Sequence, residues 1–241
     1  MKKFALRLET LLRQVEIDLT PEQLALAAAH WDLVLEANGS FNITGITEEA
    51  AAAEKHYLDC LLAVPLVKEI KPKLAVDIGS GGGFPGLVLA IAVPDTRFLL
   101  LEASVKKAAF LEQAIETLAL PNVRVLNMRA EKAGRQGDLR RSADLVTARG
   151  VAHLAILIEY AMPLLKPGGN LLAYKGPQFG QEAAESARAL AVFGGVVAEN
   201  RQYLLPQSGD VRVLGRIVAG DVCDEKYPRR EGMAEKRPLL G

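Results

Sequence analysis

The chain has 241 residues, half of them apolar, and its 29 Lys+Arg balance its 29 Asp+Glu. That is enough apolar material to bury a substantial core without disulfide or metal staples. A zero net charge excludes a protein that coats nucleic acid non-specifically, and 5% aromatic content argues against a sheet of base-stacking rings. The two cysteines, Cys60 and Cys223, are far apart and form no CxxC pair. They predict free thiols in a reducing cytosol and no metal site. The start, Met1-Lys2-Lys3-Phe4, lacks an apolar signal core, and no apolar run approaches the roughly 20 residues of a membrane span. A cytoplasmic protein with no membrane partner is expected.

Residues 1–70 read as a helical region. Phe4, Leu8, Leu11, Leu12 and Val15 recur at helical spacing. Thr20-Pro21-Glu22-Gln23 is a helix start, with Thr as the cap, Pro at the first helical position and Gln three after the cap. Leu24, Ala27, Ala28, Trp31, Val34 and Leu35 form its apolar stripe until Asn38-Gly39-Ser40 breaks it. A third helix is expected after Thr47, carrying His56, Tyr57 and Leu61. Trp31 and His30 read as structural residues, as does His153.

Residues 71–219 change period. Short apolar runs at 74–78, 97–102, 123–126, 143–147 and 170–174 alternate with helical stretches such as 86–93 and 104–118. This is the pattern of βαβ units and a parallel sheet covered on both faces. Two further runs, 196–205 and 211–218, flank a turn containing Ser208-Gly209-Asp210 and read as an antiparallel hairpin closing that sheet. Residues 220–241 are polar, irregular and rich in basic side chains.

The most informative stretch is Asp77-Ile78-Gly79-Ser80-Gly81-Gly82-Gly83-Phe84-Pro85-Gly86, which follows the first strand and opens a helix. Glycines there permit a tight turn and close approach of backbone to a ligand. The spacing also satisfies the dinucleotide fingerprint, so NAD and S-adenosylmethionine both remain open on the loop alone. Glu102, ending the second strand, suits ribose hydroxyls of either, with Ala103 and Ser104 beside it. Asp77 favours the methyl donor. An acid beside such a loop resembles the first motif of class I methyltransferases, whose cofactor carries a sulfonium and an amino group, whereas a pyrophosphate gains nothing from a carboxylate. Ala130-Glu131 follows the third strand, where this fold contacts adenine. Arg149 follows the fourth, placed to pair with a methionyl carboxylate or a substrate phosphate.

Together with Phe41-Asn42-Ile43-Thr44-Gly45, His56-Tyr57-Leu58-Asp59, Lys106-Lys107, Thr147-Ala148-Arg149, Lys175-Gly176, Lys226-Tyr227-Pro228-Arg229-Arg230 and Lys236-Arg237-Pro238-Leu239, these residues resemble the bacterial ribosomal small-subunit methyltransferase G family, also called glucose-inhibited division protein B. The resemblance implies a class I methyltransferase, that is, a Rossmann-like α/β fold with a mostly parallel sheet and an antiparallel C-terminal hairpin, preceded by the helical region. It implies an rRNA-processing enzyme that moves a methyl group from S-adenosylmethionine to N7 of a guanine in the 530 loop of 16S rRNA; a monomer is expected. It also implies cofactor contacts at Gly79, Phe84, Ala130, Glu131 and Arg149. The expected cofactor set is completed by Asp77, Ser80, Gly81, Gly83, Glu102, Ala103 and Ser104. Lys175, Arg229, Arg230 and Lys236 are expected to meet 16S rRNA or the small ribosomal subunit rather than DNA. No proton need be removed from guanine N7, so no catalytic dyad is expected; His56 and Asp59 are the candidates near the chemistry. A class I methyltransferase acting on a small molecule or protein, a nucleotide-dependent oxidoreductase and a non-enzymatic ribosome-assembly factor are the competing readings.

Overall fold

The apolar residues of the N-terminal region mostly fold as their spacing dictates, although Leu35, at the edge of the second stripe, is 37% exposed. In the computed structural model, which describes residues 2–241, Phe4, Leu8, Leu11 and Leu12 form the buried stripe of α1 (Lys2–Arg13). The second helix, α2 (Pro21–Asn38), opens with the expected reciprocal cap between Thr20 and Gln23. The Gln23 amide also donates to the carbonyls of Ile91 and Ala92 at 2.9 and 3.1 Å, which fastens α2 to the body of the protein. The third helix, expected after Thr47, starts at Glu49, because the Glu48 carboxylate caps it by accepting from the Ala50 and Ala51 amides. It is not a continuous α-helix. A short α3 (Glu49–Ala52) widens into a π-helical turn (Ala53–Leu58) before α4 (Asp59–Leu61) resumes the ordinary pitch. Apolar periodicity carries no signal for such a widening, and π-turns concentrate at functional sites. The region ends with α5 (Val64–Ile70).

Alternating strands and helices follow: β1 (Leu74–Ile78), α6 (Gly86–Ala92), β2 (Arg97–Leu101), α7 (Val105–Thr117), β3 (Val123–Leu126), α8 (Ala130–Ala133), β4 (Ala143–Arg149), α9 (Leu154–Ala161) and β5 (Leu165–Lys175). After α10 (Phe179–Glu185) and α11 (Ala187–Phe193) come β6 (Val196–Leu204), β7 (Val211–Val218) and a last turn of helix, α12 (Met233–Lys236). The seven strands are ordered β3-β2-β1-β4-β5-β7-β6. Strands β1 to β5 run parallel, and β7 is antiparallel to both β5 and β6. The fifth strand begins at Leu165 rather than Asn170. Its Pro167-Gly168-Gly169 reads as a break in sequence, yet it is carried as a register irregularity against β4.

Each face of the sheet has its own apolar layer. On one side Phe4, Trp31, Tyr57 and Leu61 share a continuous core with Leu100, Leu145 and Leu172. On the other, α9 and α11 pack on Val76, Val146 and Leu171 together with Tyr227, Ala234 and Leu239 from the C-terminal segment. Among the described residues no helix is long and apolar enough to cross a membrane. The order of strands reverses between β1 and β4, so the crevice at their carboxyl ends is where this topology binds ligands.

Candidate active site

The glycine loop leaves β1 at that crevice. Gly79, Gly81 and Gly83 adopt φ of 69°, 56° and 92°, which only glycine takes without strain. The Gly79 and Ser80 amides donate to the Leu101 carbonyl, and the Gly81 amide donates to Glu102 Oε2 at 2.9 Å. Glu102 Oε1 accepts from the Ser104 amide at 2.7 Å, so one carboxylate ties the loop to the end of β2. From the helical layer, Tyr57 donates to His30 Nδ1 at 2.8 Å, and His30 Nε2 reaches the Gly82 carbonyl at 2.9 Å. That buried strut fixes the loop from behind. Burial pushes the His30 imidazole down to about 4, so it remains neutral and donates through Nε2.

Asp77 lies wholly inside the protein. Its Oδ1 accepts from the Thr147 hydroxyl at 2.6 Å and its Oδ2 from the Gly86 amide at 3.1 Å. A Cβ on Gly86 would stand 2.6 Å from Asp77 Cβ and 2.5 Å from Leu100 Cδ2, so only glycine fits there. The carboxylate therefore orders the loop and the start of α6 from within instead of facing the crevice. Burial raises its pKa to about 6, against the lowering effect of these hydrogen bonds and of Arg149. The unfolded value is about 3.9. The folded state thus holds a proton that the unfolded state releases, and stability from this group is complete below about pH 4 and lost as pH rises through 6. Denaturant unfolding between pH 4 and pH 6 is expected to show the native protein losing about 2–3 kcal/mol relative to Asp77→Asn. Parallel stability curves would contradict this assignment.

Two cavities open at the strand ends. The smaller, of about 120 Å³, brings together Gly79, Glu102, Ala103, Ala130 and Glu131 of the expected cofactor residues, and adds Met128, Val151, Tyr160 and Glu235. The larger, of about 570 Å³, lies over β4 and β5 and gathers Asp59, Arg149 and Lys175 with Tyr174, Glu182 and Arg212. Val151 lines both and forms their common wall; a Cβ on Gly79 would meet it at 2.9 Å. Ser80, Gly83 and Phe84 support the loop without lining either cavity.

Arg149 sits at the rim of the larger cavity and is held on several sides. Its Nη1 donates to the Lys55 carbonyl and to Asp59 Oδ2, both at 2.9 Å, and Nη2 donates to His56 Nδ1 at 3.1 Å. Lys55 and His56 lie in the π-helical turn and Asp59 directly follows it. Beneath it, Phe84 stacks on His56 with centroids 4.5 Å apart, and the guanidinium stands 5.4 Å above the Phe84 ring. Desolvation, then the charge of Arg149, pushes the His56 imidazole down to about 3, so it is neutral and accepts from Arg149. Its Nε2, 2.7 Å from the Thr44 hydroxyl, keeps the proton. Burial raises the Asp59 pKa, and the pairing with Arg149 opposes that. A guanidinium has five N–H donors. The three bonds above leave Nε–H and one Nη2–H, the side of the fork that matches a carboxylate or phosphate.

The basic residues expected to meet RNA are placed very differently. Lys175 donates to Glu182 and to the Ala152 carbonyl, each at 2.6 Å, within the wall of the larger cavity. Arg229 is locked onto Glu159, which is 1% exposed, through Nε, Nη2 and its own backbone amide. Arg230 and Lys236 are exposed and have no ion pair among the described residues. Among those residues no group of three or more His, Cys, Asp or Glu side chains could hold a metal ion.

A profile of the family described as rRNA small subunit methyltransferase G matches residues 23–205. The chain is 41% identical over 230 residues to a ribosomal RNA small subunit methyltransferase G of Pelotomaculum thermopropionicum, covering 94% of this chain and 95% of that protein. It is 42% identical over 224 residues to the protein of the same name from Moorella thermoacetica, covering 92% and 93%. Among solved structures, a putative O-methyltransferase from Klebsiella pneumoniae superposes with a TM-score of 0.57 at 18% identity, over 88% of this chain and 96% of that one. A mutant 16S rRNA (adenine(1408)-N(1))-methyltransferase from Catenulisporales acidiphilia gives 0.50 at 19% identity, over 63% and 87%. These two likenesses concern the fold.

Proposed function

The chain belongs to the rRNA small subunit methyltransferase G family, and on that premise we propose that it is a monomeric cytoplasmic enzyme that methylates N7 of a guanine in the 530 loop of 16S rRNA. The observation that carries this reading is the pair of adjoining cavities at the β1/β4 crevice, one with the fittings for a nucleoside and one large enough for a base. The smaller has a carboxylate, Glu102, at the end of β2 for ribose hydroxyls, and apolar walls from Leu101, Met128 and Ala130 for adenine. Ala103 and Glu131 border it, and the Ser104 amide steadies Glu102. Asp77, Ser80, Gly81, Gly83 and Phe84 hold the loop in shape. The free side of the Arg149 fork takes the methionyl carboxylate.

Bound there, S-adenosylmethionine supplies an electrophilic methyl group on a positively charged sulfur. Guanine N7 already has an unprotonated lone pair, so the protein needs no general base. Its residues act by placement and exclusion of water. Val151 fixes the boundary across which donor and acceptor meet, and the larger cavity accepts a base drawn out of its stack. The methylated guanine is cationic; Asp59 and Glu182 on that cavity's wall offset Arg149 and Lys175, with which they are paired. Neutral His56 contributes by holding Arg149, not by moving a proton. Arg230 and Lys236 reach RNA phosphates, whereas Arg229 and Lys175 shape the surface around them.

The test is transfer of labelled methyl groups to undermethylated 16S rRNA and to small subunits, with the modified base mapped. Label at a guanine N7 of the 530 loop is the expected result. Cofactor binding without transfer to either would favour a small-molecule or protein substrate. In the same assay, Arg230→Glu with Lys236→Glu is expected to flatten the log–log salt dependence of RNA binding by roughly one to two units of slope; an unchanged slope would remove these residues from the interface.

A further inference from the structure

The C-terminal segment reaches the rim of the smaller cavity through one residue. Glu235 lines it beside Tyr160. The Tyr160 hydroxyl donates to Glu235 Oε1 at 3.2 Å, the Gly232 amide donates to Glu131 Oε1 at 2.9 Å, and Arg129 Nε faces Glu231 Oε2 at 3.5 Å. Three polar ties therefore bind one short segment to residues at the start of α8 and the end of α9. The segment is anchored at its start by the Arg229–Glu159 lock, and Ala234 and Leu239 are buried in the core. Its two sides differ in charge. Glu231 and Glu235 pair with Arg129 and Tyr160 of the rim, whereas Arg230, Lys236 and Arg237 are exposed and have no ion pair among the described residues.

We propose that residues 229–237 form a strap that closes the adenosine end of the cofactor cavity and links it to RNA binding, with Glu235 as a cofactor-positioning residue. This rests on the cofactor and RNA reading above. Glu235 Oε2 has no protein partner among the described residues and would offer an acceptor to a donor on the adenine edge, such as the exocyclic amine. Burial, then the charges of Glu131 and Glu235, raises the Tyr160 pKa, so this phenol stays protonated and keeps donating. RNA phosphates on Arg230, Lys236 and Arg237 restrain the same segment from outside. Both ligands would contact the same segment, the cofactor through Glu235 and RNA through Arg230, Lys236 and Arg237, so whichever binds first holds it in the position the other uses, and the effect is reciprocal.

The probe is S-adenosylhomocysteine, which binds without turnover, titrated calorimetrically into the full chain. Glu231→Ala with Glu235→Ala is expected to raise its Kd by about 5–20-fold. If that variant melts early, the isosteric Glu235→Gln carries the same test, because it keeps an acceptor for Tyr160. Adding a 16S rRNA fragment containing the 530 loop is expected to lower the wild-type Kd by about 5-fold or more, and Arg230→Glu with Lys236→Glu is expected to abolish that gain. Unchanged S-adenosylhomocysteine affinity in the Glu variants, or RNA that binds the wild type without altering its Kd, overturns the strap. A wild type that binds S-adenosylhomocysteine but no RNA overturns the link together with the RNA reading. One that binds no S-adenosylhomocysteine overturns the cofactor reading as well.

Discussion

Arg149→Ala is expected to lower kcat/KM for methyl transfer by about 10²–10³-fold, mostly through weaker cofactor binding. Losing a two-pronged, charge-assisted pair in a desolvated site costs about 2–5 kcal/mol, and each 1.36 kcal/mol is tenfold. Lysine should not rescue the activity, since an ammonium has no planar fork, and its three donors spent on Lys55, His56 and Asp59 would leave none for a carboxylate. Removing the guanidinium also leaves Asp59, 5% exposed, with Arg212 at 3.8 Å as its one ion pair among the described residues. Part of the loss is therefore expected in stability, of the order of 3 kcal/mol for an orphaned buried carboxylate. Adding Asp59→Asn separates the two effects. The double variant should recover melting temperature and not activity. Recovery of both would mean that Arg149 only neutralises Asp59.

Arg229→Ala is expected to destabilise the protein by about 3 kcal/mol or more, because Glu159 would be left charged inside the core. The present contacts are 2.9 and 3.1 Å from Nε, 2.6 Å from Nη2 and 2.9 Å from the Arg229 amide. Nη2 also donates to the Arg237 carbonyl at 2.8 Å, so the same loss loosens the C-terminal segment. A chain of this size should melt roughly 6–12 °C earlier. Replacing both partners, Arg229→Met with Glu159→Leu, should restore most of that stability, as buried pairs exchanged for apolar residues often do. A single variant that melts like the wild type would show that the pair is solvated in solution. RNA-binding tests should therefore use the exposed Arg230 and Lys236, because a defect at Arg229 would report folding.

Much of this was legible in the sequence. The α/β alternation, the loop from Asp77 to Gly86, the Thr20 cap and the terminal hairpin all rest on local rules: periodicity, glycine conformation, and the chemistry of helix ends. Local rules operate over a few residues, so a linear reading captures them. Glu102, Ala130 and Glu131 could be named because strand ends in this topology converge on one crevice. What only the tertiary structure decided are the partners. Asp77 and Arg229 present the same groups in sequence whether they face a ligand or the core; Thr147, Gly86 and Glu159 claim them. The π-helical turn that turns Lys55 and His56 toward Arg149 has no apolar signature. His30 under the loop, Tyr160 and Glu235 at its rim, and Glu54 accepting from Ser208 in the hairpin turn all act across distances set by packing. The sequence determined the alternation of strands and helices and the glycine loop at the crevice between them. Desolvation decided the rest, since a buried charge must find its partner wherever the fold brings one.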